Sequence, residues 1–320
     1  MPRVASRFYP NPAESNPADP NPANLPVDER WPRAGHWLAA GPGEHGIDLA
    51  IIGVPTFTRS LRRSGAHATP TAVRRALFHY TTWCASRHVD LADLYPWDLG
   101  DVQEPDGDDG DWRTRTLATT ARAKARVTVA LGGDGSVTFP VVSAGRDLKT
   151  AGVVAFDAFY DVREGVGSGS SLRRLIDGGV SPERIVHLGA ADWLVSRSHA
   201  DEIAARGVRL NSRRELADRG INTCLREALD AAAHPHGDVH VSFDFSVCDR
   251  AVAPASHDSV PGGLSARELQ AAAFAAGRDH RVRSIDLVEI DATADALDQR
   301  TVRLAATLVL EFAAGLALRP

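Results

Sequence analysis

Ser242-Phe243-Asp244-Phe245-Ser246-Val247-Cys248-Asp249 is an apolar run that ends in an acidic turn. Two earlier stretches repeat the pattern. One leads from residues 127–131 into Gly132-Gly133-Asp134-Gly135-Ser136, the other from residues 152–156 into Asp157-Ala158-Phe159-Tyr160-Asp161. Short continuous apolar runs rich in β-branched residues read as strands buried on both faces, and a parallel sheet opens its ligand crevice at the carboxyl ends of such strands. The three acidic turns are therefore expected to converge at one end of one sheet.

Outward from these turns, strand and helix patterns alternate almost without interruption. A strand at 47–54 is stopped by Pro55, and Thr69-Pro70 starts a helix with the expected cap and first-turn proline. Later strands are expected near 184–188, 207–210 and 284–290, with helices near 113–125, 138–144, 171–178, 197–206, 221–233, 265–277 and 297–316. The pattern calls for a single α/β domain over 46–320, a three-layer α/β/α sandwich on a mostly parallel sheet. Residues 86–112, acidic and glycine-rich, read as a solvated excursion. Residues 1–45 carry nine prolines and three Asn-Pro-Ala triplets, so this arm is expected to be extended or irregular rather than helical. Trp31 and Trp37 suit some docking of its end.

Composition excludes several classes. A net charge of −5, with no basic stripe, argues against a nucleic-acid partner held through phosphates. No run of about 18 uncharged apolar residues suggests a membrane span. Cys84, Cys224 and Cys248 are too far apart for a metal or redox motif, which fits a reducing cytoplasm.

Taken jointly, Gly-Gly-Asp-Gly-Ser at 132–136, Asp-Ala-Phe-Tyr-Asp at 157–161, Ser-Phe-Asp-Phe-Ser at 242–246 and Pro-Gly-Gly-Leu-Ser-Ala-Arg-Glu at 261–268 resemble the ureohydrolases, the family of arginase, agmatinase and proclavaminate amidinohydrolase. The likeness runs from Ile47 to Leu316 and implies the arginase-like fold, C–N bond chemistry on a small cationic molecule, and assembly as a homo-oligomer, trimer or hexamer. It also implies a pair of Mn²⁺ ions that activate water. The ligand positions carry over incompletely. Asp157, Asp161 and Asp244 stand where the family has carboxylates, but Gly135 and Phe159 stand where it has histidines, and Ser246 replaces a further aspartate. Ser168 aligns with the proton-shuttling histidine, and Glu268 with the carboxylate that binds guanidinium. The resulting expectation is no metal ligand set and no cofactor, or at most one weakly bound divalent ion.

Three clustered carboxylates cannot all ionise without a counter-charge. They are a relic satisfied by backbone amides and an arginine such as Arg163 or Arg250, or a pocket for a cationic substrate, or the seat of one residual metal at Asp157, Asp161 and Asp244. The preferred reading is a metal-independent enzyme of a specialised-metabolite pathway that acts on a guanidino, amidino or amino small molecule. Asp157, Asp161, Asp244 and Glu268 would serve as acid–base groups, and Gly135, Phe159, Ser168, Ser246, His257 and Asp258 would line the substrate site. Cys248 is a candidate nucleophile, against the plainer reading of a buried loop thiol. His187 and His240 read as core residues, and Glu289 as either pocket floor or salt-bridge partner. A non-catalytic homologue, serving as ligand sensor or assembly partner, is the competing reading, with a single-metal amidinohydrolase as a further one.

Overall fold

The structure, a computed structural model, describes residues 28–41 and 45–320. The chain begins with α1 (Ala34–Ala39), then β1 (Ile47–Val54), α2 (Thr69–Ala76), a two-stranded hairpin of β2 (Trp83–Cys84) and β3 (Val89–Asp90), and β4 (Pro96–Asp101). It continues through α3 (Gly110–Lys124), β5 (Ala125–Gly132), α4 (Thr138–Val142), β6 (Gly152–Phe156), α5 (Ser171–Asp177), β7 (Ile185–Ala190), α6 (Arg197–Ala205) and β8 (Arg209–Ser212). The last part is α7 (Arg213–Arg219), α8 (Ile221–Ala232), β9 (Val239–Asp244), α9 (Ala266–Arg278), β10 (Val282–Val288) and α10 (Arg300–Ala317).

Eight strands form one sheet in the order β4-β1-β5-β10-β9-β6-β7-β8, and every pairing is parallel. Helices α2, α8, α9 and α10 pack on one face and α3, α4 and α5 on the other, giving three layers. Side chains alternate across the sheet, so Val239, Val241 and Phe243 of β9 enter the larger core beside α8 and α9. Phe243 stacks on Phe156 of β6 with ring centroids 5.2 Å apart. Phe243→Ala is expected to cost about 3–5 kcal/mol, through lost transfer energy and the cavity left behind, read as a lower urea midpoint with an unchanged slope.

Two glycines of the 132–136 turn are required by space. A Cβ on Gly132 would lie 2.7 Å from a Val288 methyl, and one on Gly133 would lie 1.8 Å from the carbonyl oxygen of Thr56. The turn after β5 thus presses against the loop after β1, and Asp134 N donates to that same Thr56 oxygen at 3.1 Å.

Some sequence expectations shift. Residues 34–39 of the arm are helical, because the run after Pro32 is free of proline until 42, and Trp37 is buried with its indole N–H donating to Leu94 O at 3.0 Å. Residues 1–27 and 42–44 of the arm lie outside the described residues. The 86–112 stretch is not a mere excursion: Pro96–Asp101 is the edge strand of the main sheet. Its polar alternation is that of an edge, where one flank lacks a partner strand, so it lacked the continuous apolar signature. No helix among the described residues is long and apolar enough to cross a membrane.

Candidate functional site

The four central strands, adjacent in the order β5-β10-β9-β6, each end in an acid. Asp134 follows β5, Glu289 follows β10, Asp244 closes β9 and Asp157 follows β6. Asp161 joins them from the loop beyond Asp157. In a parallel sheet the chain must leave each strand at the same end, so register alone places these side chains together. The acidic turns read from the sequence therefore do converge, with Glu289 as an added member.

Asp157, Asp161, Asp244 and Glu289 line one cavity of about 430 Å³. Local hydrogen bonds hold each in place. Ser246 Oγ donates to Asp157 Oδ1 at 2.9 Å, and Phe159 N donates to the same oxygen at 2.9 Å. Ser246 N donates to Asp244 Oδ1 at 2.7 Å, Ser171 Oγ to Asp161 Oδ2 at 2.7 Å, and Gly135 N to Glu289 Oε1 at 2.7 Å. Asp161 and Glu289 also sit in the left-handed backbone region, at φ of 50° and 60°. For residues with a Cβ this costs roughly 1–2 kcal/mol each, and such strain concentrates at functional sites.

These few donors do not neutralise the cluster. Burial holds all four carboxyl groups well above the usual carboxylate range, and their neighbours reinforce it: Asp161 acts on Asp157, Asp244 on Asp161, Asp157 on Asp244, and Asp244 on Glu289. Beneath them His187 is buried, its Nε2 2.6 Å from Phe159 O and its Nδ1 without a partner. Burial lowers its pKa to about 4, so it is neutral and supplies no counter-charge.

The mouth of the cavity has the opposite character. Arg62, Arg163 and His199 line it together with Ser168, Ser196, Phe159 and Tyr160. Arg62 pairs with Asp258, also a lining residue, at 3.1 Å. The exposed guanidinium of Arg163 has no hydrogen-bond or ion-pair partner among the described residues. An acidic floor under a basic rim suits a molecule cationic at one end and anionic at the other.

Of the residues named from the sequence, Asp157, Asp161, Asp244, Ser246, Phe159, Ser168 and Asp258 line the cavity, and Gly135 lines a small recess below it. The others stand apart. Glu268 is the third residue of α9 in a capping box, its Oε2 accepting from Ser265 N at 2.8 Å and Ser265 Oγ at 2.7 Å, and it does not line the cavity. His257 is held by Asp291, Nε2 to Oδ2 at 3.0 Å, away from the lining set. Cys248 is fully buried, and burial with the charge of Asp244 pushes its thiol far up, so it lacks the thiolate a nucleophile needs. Arg250 donates to Ser256 O rather than to the acidic cluster. Glu268→Ala is expected to lower stability by about 0.5–1 kcal/mol through the lost cap while leaving kcat and KM unchanged, which thermal melts and steady-state kinetics would check. Sequence reasoning missed Arg62, Arg163 and His199 as a set, since two lie on separate loops and the third in the first turn of α6, with no shared pattern.

The family model described as "Arginase family" matches residues 47–315. The formimidoylglutamase of Halalkalibacterium halodurans is 31% identical over 304 residues, covering 92% of this chain and 95% of the relative. The crystal structure of formimidoylglutamase from Bacillus subtilis superposes with a TM-score of 0.85 at 25% identity, covering 92% of this chain and 94% of that one. Formiminoglutamase of Trypanosoma cruzi, solved with Mn²⁺, superposes with a TM-score of 0.83 at 24% identity over 91% of this chain and 100% of that one. The Mn²⁺ in that structure overturns the expectation that the site takes no cofactor, or at most one weakly bound ion. The physical reason lies in the floor itself: four crowded carboxyls, two buried and two half-buried, with no ion-pair partner among the described residues, are a deficit that a cation, and not only a proton, can fill. By the match over residues 47–315, this chain is a member of the arginase family.

Proposed function

We propose that the protein is a hydrolase of C–N bonds in a small molecule that bears an amidino-type cation at one end and a carboxylate at the other, formimidoylglutamate being the foremost candidate. The carrying observation is the bipolar cavity, with Asp157, Asp161, Asp244 and Glu289 at the floor and Arg62, Arg163 and His199 at the mouth. Similarity to formimidoylglutamases supports the same reading, since that substrate name describes an amidine joined to a dicarboxylate.

The oxygen donors at the floor are of the hard type that Mn²⁺ and Mg²⁺ prefer. Gly135 and Phe159 offer no nitrogen ligand, and among the described residues no three His, Cys, Asp or Glu side chains are already gathered as a metal site. By donor chemistry Asp157, Asp161, Asp244 and Glu289 would hold a divalent ion, which when bound supplies Lewis acidity and charge neutralisation. Glu289 gives a carboxylate on the side where Gly135 offers none, its Oε1 already against Gly135 N.

The remaining work falls to this chain's own groups. Arg163, with no competing partner, fixes the substrate carboxylate and so aims the amidine inward. The buried carboxylates at the floor accept the amidinium N–H groups. Any of these carboxyls that keeps its proton at neutral pH is placed to return it to the departing nitrogen, as general acid. Phe159 walls one side and limits bulk water. The cavity stays open over Asp244 instead of being filled by Phe159, which favours a ligand-handling site over a relic.

The test is an assay of glutamate release from N-formimidoyl-L-glutamate by protein prepared with manganese, compared with guanidino acids and with a guanidino amine that lacks a carboxylate. Manganese-dependent turnover of the carboxylate-bearing substrates, and poor turnover of the amine, is the expected result. A fully metal-loaded protein inert toward every one of them would end the proposal.

A further inference from the structure

At the opposite end of the sheet, the loop between α8 and β9 and the start of β10 enclose a second cleft of about 580 Å³. Its polar lining is His234, His236, Asp238, His280, Arg281 and Arg283. The charges behind this wall do not balance. Arg122 and Arg146 both ion-pair with the single carboxylate of Asp238, the second at 3.1 Å. Arg283 has no carboxylate partner among the described residues; its Nη2 reaches only Ala125 O, at 3.4 Å. Three guanidinium groups therefore share one acid.

Several of their N–H groups are buried and unpaired. Arg283 Nε, Arg122 Nη1 and Arg146 Nε are shielded from solvent without an acceptor, and the Arg146 side chain is only 4% exposed. Buried donors of charged groups are rarely left so, because the unmet desolvation cost is large. Burial and the mutual repulsion of Arg122, Arg126 and Arg283 lower the pKa of Arg283, the direction expected of an excess of positive charge. Arg281 differs, since Asp279 and Asp230 already neutralise it at 2.6 and 2.9 Å.

We infer that this cleft is a binding site for a phosphate-type dianion, held by Arg283 and the imidazoles of His234, His236 and His280, and remote from the catalytic crevice. The cleft exceeds the volume of a bare oxyanion, so it can take either free phosphate or the phosphate group of a small monoester. Each imidazole has a ring N–H to offer an oxyanion, that of His234 from Nε2, since its Nδ1 accepts from His236 N at 3.1 Å. The site draws on nothing in the hydrolase reading and stands or falls separately.

Isothermal titration of the full-length chain at fixed ionic strength, with inorganic phosphate in one arm and a hexose monophosphate in the other, tests it. Saturable one-site binding in either arm supports the site, and the arm with the higher affinity identifies the form of phosphate. Arg283→Gln should weaken it about tenfold, the loss of one charge-assisted contact. The paired change of His236 and His280, both exposed, to glutamine should weaken it several-fold without disturbing packing. Arg163→Gln, at the far end of the sheet, should leave it unaltered. Absence of saturable binding in both arms, or binding indifferent to both the arginine and the histidine changes, overturns the inference.

Discussion

Asp244→Asn is expected to leave the fold intact, to stabilise the protein in the absence of divalent cations, and to lower kcat/KM by about 100-fold or more. The amide keeps the oxygen that accepts Ser246 N and removes the charge that raises Asp161 and Glu289. The sign of the stability effect follows from linkage. Asp157, Asp161, Asp244 and Glu289 all have folded-state pKa values above their unfolded ones, so the folded form holds more protons. Their stabilising contribution is complete below about pH 4 and is lost as pH rises through the raised values. At pH 8, without metal, the asparagine variant should therefore gain about 1–3 kcal/mol, a rise of a few degrees in Tm, and near pH 4 the gain should vanish. Manganese should raise the Tm of the parent protein and have much less effect on the variant. Melts at pH 4 and pH 8, with and without Mn²⁺, measure all of this; a variant destabilised at pH 8 would show that the cluster is already neutralised by groups within the fold.

The second large effect concerns recognition. Arg163→Gln is expected to raise KM for carboxylate-bearing substrates roughly tenfold, with kcat changed by less than about twofold, because it removes one charge-assisted contact made equally in ground and transition states. The effect is modest because Arg163 is exposed and solvent screens its charge. A guanidino amine with no carboxylate should show no loss at all. Equal losses on both kinds of substrate would place Arg163 in the structure of the loop instead of in recognition.

Much of the fold was legible because its signals are local. Continuous apolar runs such as Val127 to Leu131 leave few alternatives to a buried parallel strand, and Thr69-Pro70 starts a helix for backbone reasons alone. The capping box of Ser265 and Glu268 was also local, yet it misled: a carboxylate three residues into a helix reads the same whether it binds a guanidinium or its own cap. Edge strand β4 was missed because a strand with one open flank needs no continuous apolar sequence.

From its sequence alone this protein is a parallel α/β member of its family with Asp157, Asp161 and Asp244 at the crevice end, since strand direction and side-chain alternation are short-range properties. Only the tertiary structure decided that Glu289 completes the acidic floor, that Glu268, His257 and Cys248 do not line the cavity, and that Arg62, Arg163 and His199 share its rim. Those outcomes depend on how separate loops fold over the sheet, and loop packing is set by contacts between residues far apart in the chain, which no local pattern records.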